Sequence, residues 1–271
     1  MTSLRSIIAS LLLLIAVLAI VVPLPDEGKE YLLREEEASD ATLTVFSDRE
    51  PALIEPLLAQ FEADTGVKTR LIPVKTDSAV GEIASSDAIP DVFLSEDSRA
   101  ISTLADAELL DMLPRYLTNG LDAYFIEPDG LWAGVSARVQ FIVYDPHQWT
   151  PENLPSPVAN EIGKFLSGEV DAVQVSSPVL LRALDSTAPR PFAYLPVEIS
   201  ASGVGIFARS DSKPLAQQFI TYLYFPAGQT YFRDAAYEYP LMPGIESDQR
   251  LMPLAEILPT IEGSNNNKGS P

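Results

Sequence analysis

The stretch Thr42 to Gly66, TLTVFSDREPALIEPLLAQFEADTG, constrains the chain more than any other. Leu43-Thr44-Val45-Phe46 is an apolar run of the right length for one buried strand. The polar cluster Ser47-Asp48-Arg49-Glu50 follows, and Pro51 stands where a helix can begin. Leu53, Ile54, Leu57, Leu58 and Phe61 then recur at helical spacing, and Gly66 supplies a stop. This predicts a strand–loop–helix unit. In open α/β sheets ligands meet the chain beyond the carboxyl ends of the strands, so Asp48, Arg49 and Glu50 are candidate ligand-binding residues.

Further strands are predicted at Thr69 to Val74, Asp91 to Leu94, Phe141 to Tyr144, Ala172 to Val175 and Gly203 to Phe207. Helical spacing marks Ala100 to Leu110, Asn160 to Leu166, Leu215 to Tyr224 and the start of another helix at Gly228 to Phe232. Strands alternate with helices, which gives an α/β class. At the amino terminus Arg5 precedes an apolar run from Ile7 to Val22 broken only by Ser10. A spanning helix needs about 20 apolar residues, and Leu4 and Leu24 bring the run close to that length. No Ala-x-Ala site follows it. The reading is a membrane anchor or signal peptide over residues 1–25, favouring an uncleaved anchor, with a charged stalk over 26–40. Positive-inside orientation from Arg5 then puts the bulk of the chain outside the cytoplasm, at the cell membrane. Residues 263–271, rich in Gly, Ser and Asn, are expected to be a disordered tail.

The net charge of −20 excludes nucleic acid and anionic lipid surfaces as partners. Absence of cysteine excludes disulfides, thiolate metal sites and Cys nucleophiles. The single histidine, His147, follows Pro146 and reads as a turn residue. There is no Gly-x-Ser-x-Gly, phosphate loop or His-Glu-x-x-His, so the chain does not read as an enzyme.

The LTVFSDRE…FEADTGVKTRLI segment resembles the amino-terminal βαβ unit of periplasmic ferric-iron-binding proteins, the solute receptors of iron ABC importers. Five more segments resemble that family in the same order: Pro90 to Glu96, Trp132 to Arg138, Gly168 to Ala172, Pro226 to Gln229 and Tyr237 to Leu241. The resemblance implies a periplasmic-binding-protein-like α/β fold, two lobes joined by crossing strands and closing on a ligand. The solute-binding-like domain would cover 41–262, with lobe 1 about 41–135 and 195–262 and lobe 2 about 136–194. Only nine residues lie between Val158 and Gly168, where relatives carry several tens, so the first lobe reads as complete and the second as reduced. By the same resemblance Glu50 and Glu96 stand at the family's first-lobe metal-ligand positions and are the metal candidates. Pro178 and Val179 stand where the family has its two iron-binding tyrosines. Asp97 adjoins Glu96; Ser136 and Arg138 resemble the anion-binding part of the crossing segment; Ser176 and Ser177 precede the tyrosine positions. The expected ligand is a small anion or metal complex. No resident cofactor is expected, ferric iron would be cargo, and the partners would be an importer permease or another membrane complex. The alternative is a degenerate receptor that serves as a fixed extracytoplasmic subunit or sensor.

Overall fold

The computed structural model describes residues 41–186 and 190–267. The expected anchor, stalk and last four tail residues lie outside the described residues. Strand β1 (Thr42–Ser47) buries Leu43, Val45 and Phe46 completely. Helix α1 (Pro51–Thr65) begins on Pro51 and buries Ile54, Leu57, Leu58 and Phe61. Gly66 ends it in the left-handed region (φ 76°), and its N–H bonds to the Glu62 carbonyl at 2.8 Å. The Phe61 ring meets Phe219 and Tyr222 edge-on at 5.1 and 5.2 Å, docking α1 on a later helix. β2 (Lys68–Pro73) and β3 (Val92–Leu94) then lie parallel to β1, one on each side.

Between and after these come α2 (Ala79–Ser85), α3 (Ser98–Asp106) and β4 (Leu110–Asp111). The helix expected over Ala100 to Leu110 is thus shorter. Glu108 takes a left-handed conformation (φ 57°), the Leu109 N–H bonds back to the Leu104 carbonyl, and Leu110 pairs with a strand. The chain continues through β5 (Ala133–Tyr144), β6 (Val158–Ala159), α4 (Ile162–Ser167), β7 (Ala172–Ser176), α5 (Ser177–Ser186) and β8 (Ala193–Phe207). It closes with α6 (Lys213–Tyr224), α7 (Pro226–Ala236), β9 (Tyr239–Pro240) and α8 (Leu254–Asn267). A Cβ on Gly228 would meet the Leu223 carbonyl oxygen at 2.6 Å, so α7 can follow α6 this closely only with glycine there.

Among the described residues nine strands form one mixed sheet, ordered β2-β1-β3-β8-β5-β7-β6, with β4 on β8 and β9 on β5. β5 and β8 are long and antiparallel, paired from Ala133↔Val204 to Tyr144↔Ala193. They carry the sheet from its parallel half into the β7–β6 half. Period-two alternation gives β5 two faces. Ala137, Val139, Phe141 and Val143 enter a buried apolar cluster, while Ser136, Arg138 and Gln140 point the other way.

That cluster contains more than the residues between β5 and β8. Phe165 of α4, Val173 and Val175 of β7, and Leu180 and Leu181 of α5 are joined by Leu251, Ile257 and Ile261 from the carboxyl-terminal segment. The β5–β7 half therefore completes its core with a helix contributed from the end of the chain. α8 also runs to Asn267, so residues 263–267 are helical where composition points to disorder. Among the described residues no helix is long and apolar enough to cross a membrane.

Ile257 is fully buried in this cluster. Ile257→Ala is expected to cost about 2–5 kcal/mol of stability, read by urea denaturation. It should speed amide exchange in β7 and α5 more than in β1 and β3. Equal effects on both halves would show that α8 does not serve the β5–β7 core.

Candidate functional site

The residues singled out after β1 do not pair with one another. Asp48 accepts the Glu96 N–H at 2.7 Å and the Thr76 hydroxyl at 2.9 Å. Burial pushes its carboxyl above the usual carboxylate range, working against those two hydrogen bonds. Its charge thus fixes the loop after β3. Glu50 is exposed and precedes α1 without a side-chain cap bond. Arg49 turns inward and is 3% exposed. It donates through Nη2 to the Glu238 carboxylate at 2.8 Å, and its guanidinium lies 5.4 Å from the centre of the Phe232 ring. Among the described residues its Nε and Nη1 have no hydrogen-bond partner.

Glu238 is the residue that the sequence reading passes over. It is 5% exposed and sits between Tyr237 and Tyr239. Its second oxygen accepts the Ser136 hydroxyl at 2.5 Å, with the Ser202 hydroxyl at 3.5 Å. A carboxylate inside a run of aromatic and apolar residues signals a buried partner, because an unpaired one is too costly. Local geometry aims it. α7 ends on Tyr237 in the left-handed region (φ 58°), held by its hydroxyl on Asp185 at 2.5 Å and by Arg182 over its ring. The Glu238 N–H then bonds to the Phe232 carbonyl at 3.0 Å, which turns the side chain into the sheet.

Arg138, on the polar face of β5, donates from Nη1 to the Glu96 carboxylate at 2.7 Å and from Nη2 to the Glu96 carbonyl. The Ser202 hydroxyl of β8 also donates to that carbonyl at 2.8 Å. The Arg138 Nε lies 3.9 Å from Glu238. Asp97 caps α3, accepting the Arg99 N–H at 2.9 Å and the Arg99 guanidinium. Ser176, at the end of β7, faces the same side as Arg138. Ser177 is fully buried and accepts the Val139 N–H at 3.2 Å, so its oxygen is committed to the backbone. Pro178 is buried in the first turn of α5, and Val179 packs on the apolar cluster. His147 is exposed in a turn, its N–H bonded to Asp145.

These elements enclose a cavity of about 450 Å³, lined by Thr76, Glu96, Asp97, Arg138, Gln140 and Ser176 among others. Glu198 and Ser200 of β8 complete it. They stand opposite Gln140 and Arg138 in the β5–β8 register. Their period-two spacing with Ser202 was a readable signal for a polar sheet face. The structure thus brings Glu96, Asp97, Arg138 and Ser176 together, holds Asp48 behind them, and leaves Glu50, Arg49, Ser136 and Ser177 off the lining. Among the described residues no group of three or more His, Asp or Glu side chains is placed to hold a metal ion.

Removing Glu238 strands a buried guanidinium. Glu238→Ala is expected to cost about 3–5 kcal/mol in urea denaturation. Arg49→Met combined with Glu238→Ala should cost less than the sum of the two single changes. A single-mutant loss below about 1 kcal/mol, the range of an exposed pair, would contradict this account.

No family model matches the chain. Iron uptake protein A1 of Synechocystis sp. is 22% identical over 79% of this chain and 80% of its own length. The major ferric iron-binding protein of Neisseria meningitidis is 23% identical over 80% of this chain and 86% of its own. The crystal structure of iron-bound HitA from Pseudomonas aeruginosa superposes with a TM-score of 0.69 at 18% identity, covering 80% of this chain and 92% of that one. The chain is an α/β protein whose fold matches that of solved ferric-iron-binding proteins, and it resembles such proteins in sequence along most of its described length.

Proposed function

We propose that the chain is an extracytoplasmic solute-binding protein, not an enzyme, whose cleft takes a small anion or a metal carried as an anionic complex. One observation carries the reading. Arg138, Gln140, Ser176 and Ser200 converge on one polar cavity beside the loops after β1 and β3, in a fold whose solved neighbours include an iron-bound protein. A guanidinium with neutral donors suits a carboxylate or phosphate oxygen. Residues 136–194 would form a reduced second lobe, and the run Ile7 to Val22 would tether the protein to the membrane. An importer permease would be the partner. Ligand at 100 times its dissociation constant should stabilise the purified full-length chain by about 2.7 kcal/mol. The screen uses phosphate, bicarbonate, citrate and ferric citrate; no shift with any of them would defeat the reading.

A second reading is a receptor that no longer carries solute and acts as a fixed subunit or sensor. It is favoured by Pro178 and Val179, which offer no ligand atoms where the resemblance expects tyrosines. Other phenols are engaged: the Tyr194 oxygen accepts the Met252 N–H at 2.8 Å, and the Tyr239 hydroxyl donates to the Met252 carbonyl at 3.1 Å. Burial raises the Tyr194 hydroxyl above the usual phenol range. Ferric citrate is therefore expected to give no visible phenolate-to-iron charge-transfer band. A stoichiometric coloured complex that loses its band in Tyr144→Phe or Tyr194→Phe would restore tyrosine ligation of ferric iron.

A further inference from the structure

Two oxygens of Glu96 hold Arg138, and they differ in how firmly they do so. The backbone carbonyl is fixed, since it also accepts Ser202, and the N–H of Glu96 itself is fixed on Asp48. Among the described residues the carboxylate has the Arg138 bond alone to hold it. Its side chain is 47% exposed, whereas the Arg138 side chain is 18% exposed. Behind the guanidinium stands the buried Glu238, 3.9 Å from Nε. The guanidinium is therefore backed by Glu238 on the strand side and covered on the cleft side by a half-exposed carboxylate. An ion pair of that exposure contributes little net stability, so it is replaceable.

We propose that the Glu96 carboxylate is a built-in competitor: it occupies Arg138 in the empty cleft and swings aside when a carboxylate or phosphate oxygen of the ligand takes its place. This rests on the reading of the cavity as the ligand site and adds how that site is gated. The contact inhibits binding in cis. It also narrows the ligand class. Neutral donors line the cavity at Gln140, Ser176 and Ser200; Asp97 is paired there with Arg99, which leaves the exposed Glu198 as the uncompensated negative charge. Among the described residues the Glu198 side chain has no hydrogen-bond or ion-pair partner, its backbone being paired with Gln140 in the sheet. A ligand with one anionic end for Arg138 and a cationic, hydroxyl or metal-bearing end for Glu198 satisfies both. A bare metal cation would meet the Arg138 guanidinium at the Glu96 carboxylate, where like charges repel.

The test compares citrate and inorganic phosphate on the full-length chain by calorimetry and thermal shift. Glu96→Gln, which keeps the shape but not the charge, is expected to tighten anion binding by about tenfold, within the usual span of coupling between two ligands of one site. Arg138→Lys, which keeps the charge but not the fork, should weaken binding in the wild-type and Glu96→Gln backgrounds alike. Amide exchange checks that each variant is folded; in Glu96→Gln it should also rise in Asp97 to Arg99, which the pair holds. If wild type binds either anion and Glu96→Gln binds it no tighter, the competitor is refuted while the receptor reading stands. If neither wild type nor Glu96→Gln binds either anion, both fail. Tightening that persists in Glu96→Gln with Arg138→Gln refutes the role of Arg138.

Discussion

The carboxylate of Glu238 is the interaction on which the site depends. It joins the loop after β1 through Arg49 and strand β5 through Ser136, and it lies 3.5 Å from the Ser202 hydroxyl of strand β8, whose proton goes to the Glu96 carbonyl. These are the parallel half of the sheet and the two strands that run on into the other half. A buried carboxylate costs more than its attraction returns unless its oxygens are satisfied, and here both are. Its removal would leave the Arg49 guanidinium buried with no hydrogen bond among the described residues, since Nη2 on Glu238 is its one bonded nitrogen there. The left-handed Tyr237 is the local cost of delivering Glu238, of the order of 1–3 kcal/mol for such a conformation. Asp185 and Arg182 hold that tyrosine in place.

From this hub the geometry of the cleft follows by strand periodicity. With Ser136 fixed on Glu238, Arg138 and Gln140 must lie on the same face of β5, and Val139 and Phe141 on the other. β8 pairs in register, so Ser202, Ser200 and Glu198 share that polar face. The apolar face is sealed by α4, α5 and the carboxyl-terminal helix. One sheet thus supplies a core on one side and the polar lining of the cavity on the other. A one-residue slip in β5 would exchange the two.

Much of this was legible in the sequence, where local rules decide. β1, α1 and the Gly66 stop follow from periodicity and one glycine. Arg138, Glu96, Asp97 and Ser176 do meet at the cavity. What was not legible depends on distant contacts. Asp48 and Arg49 are neighbours in sequence, yet one is bound to the loop after β3 and the other to a residue 189 positions away. α3 stops at Asp106 because Leu110 is wanted by β8, which propensity cannot foresee. The composition of residues 263–267 speaks for disorder, but the helix begun at Leu254 and anchored by Ile257 and Ile261 carries on through them. Local signals therefore set the elements, and tertiary partners set where they end and which charges they bury.

Charge makes the last connection between fold and ligand. With a net charge of −20 the molecule repels anions at a distance, but salt screens that field within about 8 Å at physiological ionic strength. Selection of the ligand is then a matter of contact. At contact the cleft presents the Arg138 guanidinium, held by the Glu96 backbone carbonyl with the buried Glu238 behind it, and carboxylates that differ in freedom. Asp97 is tied to α3 and Arg99, Asp48 is tied to the Glu96 N–H, and Glu96 and Glu198 are the ones able to respond. An anion that takes Arg138 releases the Glu96 carboxylate, so net charge in the pocket changes by the whole charge of the ligand unless a cation arrives with it. A ligand that brings its own cation, as a metal complex or a zwitterion, leaves the pocket near its resting charge. For this reason the cleft chemistry favours a mixed-charge ligand over a bare anion or a bare metal ion.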